Sequence, residues 1–173
     1  QGAQHALDLL ARVLLNPGEA VWFEEPGYPG ARAAFAAAGA RVVPVPVDAD
    51  GLNVDTAVAA APDARVAFVT PARQMPLGGV MSEARRGQLL DWAAAGAGRW
   101  IIEDDYDSEF RYAARQVAAL QALDRVGSVV HVGTFTKLLY PALRLGYLVA
   151  PLSLVPACAA MRQVVDYTSP LLE

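Results

Sequence analysis

Apolar residues follow two alternating patterns along the chain, one with helical spacing and one in the short runs typical of strands. In residues 4–15 the apolar positions fall three and four residues apart, which predicts a helix that Asn16-Pro17-Gly18 ends. We expect further helices at 31–38, 54–61, from Ser82 to about Ala95 and from about Leu154. We expect strands at 20–23, 41–47, 65–70, 100–103, 128–132 and 144–149. Strands alternating with helices predict a three-layer α/β/α fold with a mostly parallel sheet.

Polar side chains follow four of these strands at the point where each strand ends. Ligands of parallel sheets bind outside the carboxyl ends of the strands, so we expect these groups to converge on one edge. They are Tyr28, Arg73, Gln74, Asp104, Tyr106 and residues 134–137. The strand at 41–47 differs, because Pro44 and Pro46 remove backbone donors and place it near a sheet edge.

Composition excludes several classes of protein. Hydrophobic residues make up 54% and charged residues 18%, which is typical of a globular domain. The net charge of −4 gives no support for nucleic-acid binding by this segment. Cys158 is the single cysteine, which excludes an internal disulfide and favours a cytoplasmic location. We expect no transmembrane helix, since no apolar run is long enough, and no metal site, since His5, His131 and Cys158 lack ligand spacing.

Lys137 is the candidate for covalent chemistry. An unprotonated lysine amine condenses with aldehydes, and a nearby cation such as Arg144 lowers the lysine pKa. Arg144 also offers a fork of donors for phosphate, and Thr134 and Thr136 add two hydroxyls that would share a face of an extended segment. The alternative for Lys137 is a solvated lysine after a strand. The combination favours a site for a phosphorylated aldehyde, pyridoxal 5'-phosphate (PLP).

Three more groups suit the same cofactor. Asp104 could keep a pyridine nitrogen protonated, Tyr106 could donate to the ring oxygen, and Tyr28 could stack on the ring. Strand alternation would turn Asp104 to one face of the sheet and its neighbours Glu103 and Asp105 to the other. An acidic loop and ordinary tyrosine packing are the alternatives. Residues 2–4 precede a helix N-terminus, where backbone donors suit phosphate.

Two long motifs resemble those of MocR/GabR-type regulators of the GntR family. They are residues 103–112 (EDDYDSEFRY) and 133–149 (GTFTKLLYPALRLGYLV). Residues 26–32 and 48–52 agree as well. Members of this family join a winged helix-turn-helix to an aminotransferase-like PLP domain of fold type I. The resemblance implies that residues 1–173 are part of the large PLP-binding domain, with the winged helix-turn-helix and the C-terminal small domain absent.

The resemblance also implies a role for each matching position. Lys137 resembles the lysine that forms the Schiff base with PLP. Asp104 and Tyr106 resemble the partners of the ring nitrogen and ring oxygen, and Tyr28 resembles the stacking aromatic. The positions that resemble phosphate ligands are Ala3, Gln4, Thr134, Thr136 and Arg144.

The chain departs from the family pattern in two places. In ordinary class I aminotransferases the aspartate stands three residues before the tyrosine, where this chain has Glu103; Asp104 stands two before, which favours the regulator branch. In the loop at 71–79, Arg73 replaces the usual histidine and Met75 replaces an aromatic residue or asparagine. These changes put in doubt the loop's polar contacts to the cofactor and point to a changed charge preference for the effector.

Three hypotheses follow. The first is a cytoplasmic, homodimeric regulator in which an amino-compound effector displaces Lys137 from PLP, and DNA is bound through the absent N-terminal domain. The second is a working class I/II aminotransferase in which Lys137 also moves a proton between an amino-acid substrate and the cofactor. The third is a degenerate α/β domain retained for dimerisation.

Overall fold

A twisted seven-stranded sheet forms the centre of the protein. The computed structural model describes residues 2–107, 118–136 and 144–166. Its helices are α1 (Gly2–Leu14), α2 (Pro29–Ala37), α3 (Val54–Ala60), α4 (Glu83–Ala94), α5 (Leu120–Leu123) and α6 (Val155–Val165). Its strands are β1 (Ala20–Glu25), β2 (Arg41–Asp48), β3 (Gly51–Leu52), β4 (Val66–Val69), β5 (Trp100–Asp105), β6 (Val129–Thr134) and β7 (Gly146–Val149).

The order of strands in the sheet is β3-β2-β1-β4-β5-β6-β7. The five strands from β2 to β6 in this order are parallel to one another. The strands β3 and β7 lie at the two sides of the sheet, and each is antiparallel to the strand beside it. The predicted α/β fold with a mostly parallel sheet is therefore confirmed, and the proline-bearing β2 lies next to the margin as expected.

Each face of the sheet carries its own hydrophobic cluster. One cluster joins Trp22, Ile101 and Leu120 to the layer of α3, α4 and α5. The other joins Phe23 and Ile102 to the layer of α1, α2 and α6. Because residues adjacent in a strand point to opposite faces, this division assigns every strand position to one of the two layers. Helices cover both faces, as a parallel sheet requires.

The structure differs from the predicted elements at several ends. Neither β3 nor α5 was predicted from the sequence. β5 continues to Asp105 and β6 to Thr134, so two candidate site residues belong to strands and not to loops. Ser82 caps α4, because its hydroxyl accepts from the Arg85 amide at 3.2 Å. Within the described residues, no helix is both long and apolar enough to cross a membrane.

Candidate functional site

The carboxyl ends of β1, β4, β5 and β6 open at one edge of the sheet, because these strands are parallel. The N-terminus of α1 reaches the same edge. A methyl group placed on Gly2 would lie 3.8 Å from Thr136 Oγ1 and 3.8 Å from the Arg144 carbonyl oxygen. The start of the helix, the end of β6 and the entry to β7 therefore meet there.

Two threonine hydroxyls stand at the end of β6. The Oγ1 atoms of Thr134 and Thr136 are 2.9 Å apart, and the Thr136 amide donates to Thr134 Oγ1 at 3.1 Å. The amide of Phe135 donates to the Leu145 carbonyl at 3.0 Å, which ties this turn to the segment before β7. Arg144 adopts a left-handed backbone with φ 47° and is exposed. Helix N-terminal amides and two hydroxyls form a donor set that suits a phosphate, and the backbone of Arg144 lies beside them.

Gln4 and Tyr28 are joined beside this group. The Tyr28 hydroxyl donates to Gln4 Oε1 at 2.9 Å, and Gln4 Nε2 donates to the Gly30 carbonyl at 2.8 Å. Tyr28 is also the N-cap residue of α2, so its backbone is fixed. A methyl group on Gly30 would lie 2.5 Å from Gln4 Oε1, so a side chain there would have to displace Gln4. The pair places the Tyr28 ring next to the start of α1.

Asp104 lies on the same face of the sheet as Thr134. It is 4% exposed and is paired in register with Val132, two residues before Thr134. Side chains in register share a face, and so do residues two apart in a strand. Both residues therefore face the layer of α1 and α2, with Asp104 deeper in the sheet and Thr134 at its rim. The buried Asp104 carboxylate thus lies deeper in the sheet than the groups that could bind a phosphate.

Tyr106 follows directly at the end of β5. Burial, then the charge of Asp107, raises the pKa of its phenol, while the charge of Arg73 acts in the opposite direction. Asp104 and Glu24 also raise this pKa by their charge. Tyr106 therefore lies among the acidic groups at the ends of β1 and β5, and its phenol stays protonated at neutral pH.

The Glu103 side chain lies on the face of the sheet opposite to Asp104. Its carboxylate accepts from the amides of Leu120 at 2.8 Å and Gln121 at 3.1 Å, and it lies 3.1 Å from His131 Nδ1. Burial opposes ionisation, but the hydrogen bonds from His131 and the two amides together hold the pKa of Glu103 below its ordinary value. The hydrogen bond to Glu103 raises the pKa of His131 in turn, against the lowering effect of burial. Glu103 thus anchors α5 and pairs with β6.

Sequence reasoning missed Glu24, which is 1% exposed in β1. Its carboxylate accepts from the Thr70 hydroxyl at 2.6 Å and from Gln74 Nε2 at 3.2 Å. Burial raises the pKa of Glu24 to about 7, although these hydrogen bonds lower it. Gln74 also donates to the Pro26 carbonyl at 2.8 Å, so the cluster joins the ends of β1 and β4. A useful signal was present, since a strand apolar on both faces must bury any acid within it.

Arg73 and Asp107 form a second link that the sequence did not reveal. Arg73 Nη1 donates to Asp107 Oδ2 at 3.0 Å, across the ends of β4 and β5. The Arg73 side chain is 58% exposed and that of Asp107 only 10%. The pair lies 34 residues apart in the chain, beyond the reach of any local pattern.

Lys137 lies outside the described residues, as do residues 138–143. The other eight candidate residues, Ala3, Gln4, Tyr28, Asp104, Tyr106, Thr134, Thr136 and Arg144, all belong to elements or loops at the one sheet edge. His5, His131 and Cys158 were set aside as metal ligands. Among the described residues, no group of three or more histidine, cysteine or acidic side chains could hold a metal ion.

The chain belongs to the family of class I and II aminotransferases, whose model matches residues 1–171. It is 47% identical over 150 residues to the probable rhizopine catabolism regulatory protein MocR of Rhizobium meliloti, covering 87% of this chain and 30% of that protein. It is 46% identical over 167 residues to the HTH-type transcriptional regulator TauR of Rhodobacter capsulatus, covering 95% and 33%. The resemblance to MocR-type regulators is therefore confirmed, and the chain spans about a third of these relatives.

The fold is also that of solved aminotransferases. The kynurenine aminotransferase of Pyrococcus horikoshii, in complex with PMP, matches with a TM-score of 0.89 and 34% identity, over 97% of this chain and 43% of that one. The assignment to fold type I is thereby confirmed. PMP is the amine form of PLP, so PLP is also confirmed as the cofactor that the family implies.

Proposed function

We propose that this chain is a PLP-binding domain that senses an amino compound within a regulator of transcription. One observation carries the proposal. The buried carboxylate of Asp104 lies on the same face of the sheet as the donors that could bind a phosphate, which are Thr134, Thr136 and the α1 N-terminus. A carboxylate for the ring nitrogen and donors for the phosphate are the groups that a phosphorylated pyridine ring needs. The similarity to MocR and TauR supports the regulatory role.

Each residue has a distinct task in this proposal. PLP, when bound, supplies an aldehyde that reacts with amines and a ring that accepts electrons. The α1 amides, Thr134, Thr136 and Arg144 would hold its phosphate. Asp104 would keep the ring nitrogen protonated, and Tyr106 would donate a hydrogen bond to the ring oxygen.

Two further residues complete the assignment. Tyr28, which is held by Gln4, would stack on the ring and exclude water. Lys137 would be the amine that bonds to the aldehyde and that an effector amine could replace.

The difference in stability between the two bound states would shift the geometry of the protein. Residues 1–173 would form part of the large domain, with DNA bound through a separate helix-turn-helix domain in a cytoplasmic homodimer. Transamination need not be completed for such a response.

Borohydride reduction tests the covalent step in the natural full-length protein. We expect the protein with PLP to turn yellow, and we expect reduction to fix the cofactor on the peptide that contains Lys137. Lys137→Ala should give no fixed adduct. A protein that stays colourless, with no reduced adduct by mass spectrometry, would refute the proposal and would leave the hypothesis of a degenerate dimerisation domain.

A working aminotransferase is the second candidate, and the close match to kynurenine aminotransferase favours it. The two functions differ in turnover. Incubation with an amino acid and a keto acid acceptor should release a new keto acid if the protein is an enzyme. Operator binding that changes with the amino compound, without release of a keto acid, supports the regulator.

A further inference from the structure

The loop that follows β4 holds Arg73 at the edge of the candidate site. The amide of Gln74 donates to the Gly79 carbonyl at 2.7 Å, and the Gly78 amide donates to the Gln74 carbonyl at 2.6 Å. The Gln74 side chain is anchored to Glu24 and to Pro26, as described above. A loop closed on itself and fixed at its base has little freedom, so the backbone of Arg73 has a defined position.

Asp107 orients the Arg73 side chain. A nearly buried carboxylate is a fixed partner, and Asp107 Oδ2 accepts a hydrogen bond of 3.0 Å from Arg73 Nη1. A guanidinium has five N–H donors in a planar fork, so this bond leaves its other edge available. Since the Arg73 side chain is 58% exposed, a ligand can reach that edge. The Arg73 guanidinium is therefore an oriented cation with N–H donors available to a ligand.

The location gives this cation a function. Arg73 donates to Asp107, the residue that follows Tyr106, and its charge acts on the Tyr106 phenol, which we propose contacts the ring oxygen of the cofactor. An amino compound that reacts with the cofactor aldehyde must lie at this same edge. Guanidinium groups bind carboxylates through two parallel hydrogen bonds, which neither an amide nor a hydroxyl can match.

We propose that Arg73 is the specificity-determining residue that binds a carboxylate of the amino compound, so that the site selects amino acids over simple amines. This inference rests on the proposed function, since it requires a cofactor with which the amine reacts. Asp107 is a positioning residue that acts through Arg73.

The test compares acids with their amides in the natural full-length protein loaded with PLP. The probes are L-alanine and L-alaninamide, β-alanine and β-alaninamide, and 5-aminopentanoate and 5-aminopentanamide, which place the carboxylate at three distances from the amine. Affinity is measured from the change in cofactor absorbance. We expect at least one acid to bind better than its amide, and Arg73→Gln to weaken that acid about tenfold to a hundredfold while changing the amide less than about threefold.

Two further variants separate recognition from structure. Arg73→Lys retains the charge and should recover part of the preference for the acid. Arg41→Gln is the matched control, because Arg41 is an exposed arginine paired with Asp63 at the opposite edge of the sheet, and it should change neither probe. Melting temperature and cofactor loading are checked in every variant.

The outcomes are distinct for the two proposals. Failure of the unmodified protein to load PLP refutes the proposed function itself. A loaded protein in which no acid binds better than its amide, or in which Arg73→Gln weakens acid and amide equally, overturns the role of Arg73 and leaves PLP binding intact.

Discussion

Glu103 and Asp104 are neighbours in β5 but serve opposite layers of the protein. Glu103 accepts hydrogen bonds from the amides that begin α5, whereas Asp104 shares a face with Val132 and Thr134. Substitution of the two acids should therefore have different consequences.

We predict that Asp104→Asn weakens PLP binding about tenfold to a hundredfold with little change in stability, since a hydrogen bond to a charged group contributes about 1.5–3 kcal/mol. Glu103→Gln should do the reverse, lowering the free energy of unfolding by about 1–3 kcal/mol because buried amides lose a charged acceptor. Cofactor titration and urea unfolding measure the two effects. Equal loss of cofactor affinity in both variants would contradict the division.

The buried Glu24 predicts an unusual dependence of stability on pH. Its folded-state pKa, about 7, lies above the ordinary value of 4.5, so the folded protein binds more protons between these values. The free energy of unfolding therefore falls as pH rises from 4.5 to 7, by about 3 kcal/mol from this group. Glu24→Gln should remove the decline, so that the variant gains stability relative to the unmodified protein as pH increases. Melting temperature is measured for both proteins from pH 5 to 7.5. A difference in melting temperature that stays constant over this range would show that Glu24 does not titrate in this way.

The pair of His131 and Glu103 predicts a limited pH window of stabilisation. The pKa of His131 is raised above 6.5, so its contribution is complete below that value and is lost as pH rises through the raised value. The pKa of Glu103 is lowered from 4.5, so its contribution is complete above 4.5 and is lost as pH falls through the lowered value. His131→Asn should lower the melting temperature most between pH 4.5 and 6.5. A deficit that does not vary with pH would indicate a loss of packing only.

Gly146 offers a steric test of the α1 N-terminus. A methyl group there would lie 2.9 Å from the Ala3 nitrogen and 2.9 Å from the Gly2 carbonyl carbon, and backbone atoms cannot move aside as a flexible side chain does. Gly146→Ala should therefore displace the start of α1 and weaken PLP binding about tenfold or more, since charge-assisted hydrogen bonds to the phosphate are lost. Gly87→Ala is the control, because nothing lies within 4 Å of that position in α4. It should stabilise the protein by about 0.5–1 kcal/mol and leave cofactor binding unchanged.

The sequence predicted the longer elements because each carries its own periodicity. The two-residue β3 and the four-residue α5 are too short to show one, and they form because β2 and Glu103 supply their partners. The edge that gathers Tyr28, Asp104 and Thr134 followed from the alternation of strands and helices, because parallel strands have their carboxyl ends at one edge. The links from Glu24 to Thr70 and from Arg73 to Asp107 did not, since they join residues 46 and 34 positions apart. Their existence depends on which strands become neighbours.

The reversed direction of β7 has a mechanical consequence. Because β7 is antiparallel, it runs away from the edge at which the carboxyl ends of the parallel strands lie. α6 then runs back towards that edge. Asp166, directly after α6, lies 3.2 Å from His5, one residue beyond Gln4 in α1. This side-chain contact connects the helix proposed to hold the phosphate with the end of α6, and a tilt of either helix would be transmitted to the other.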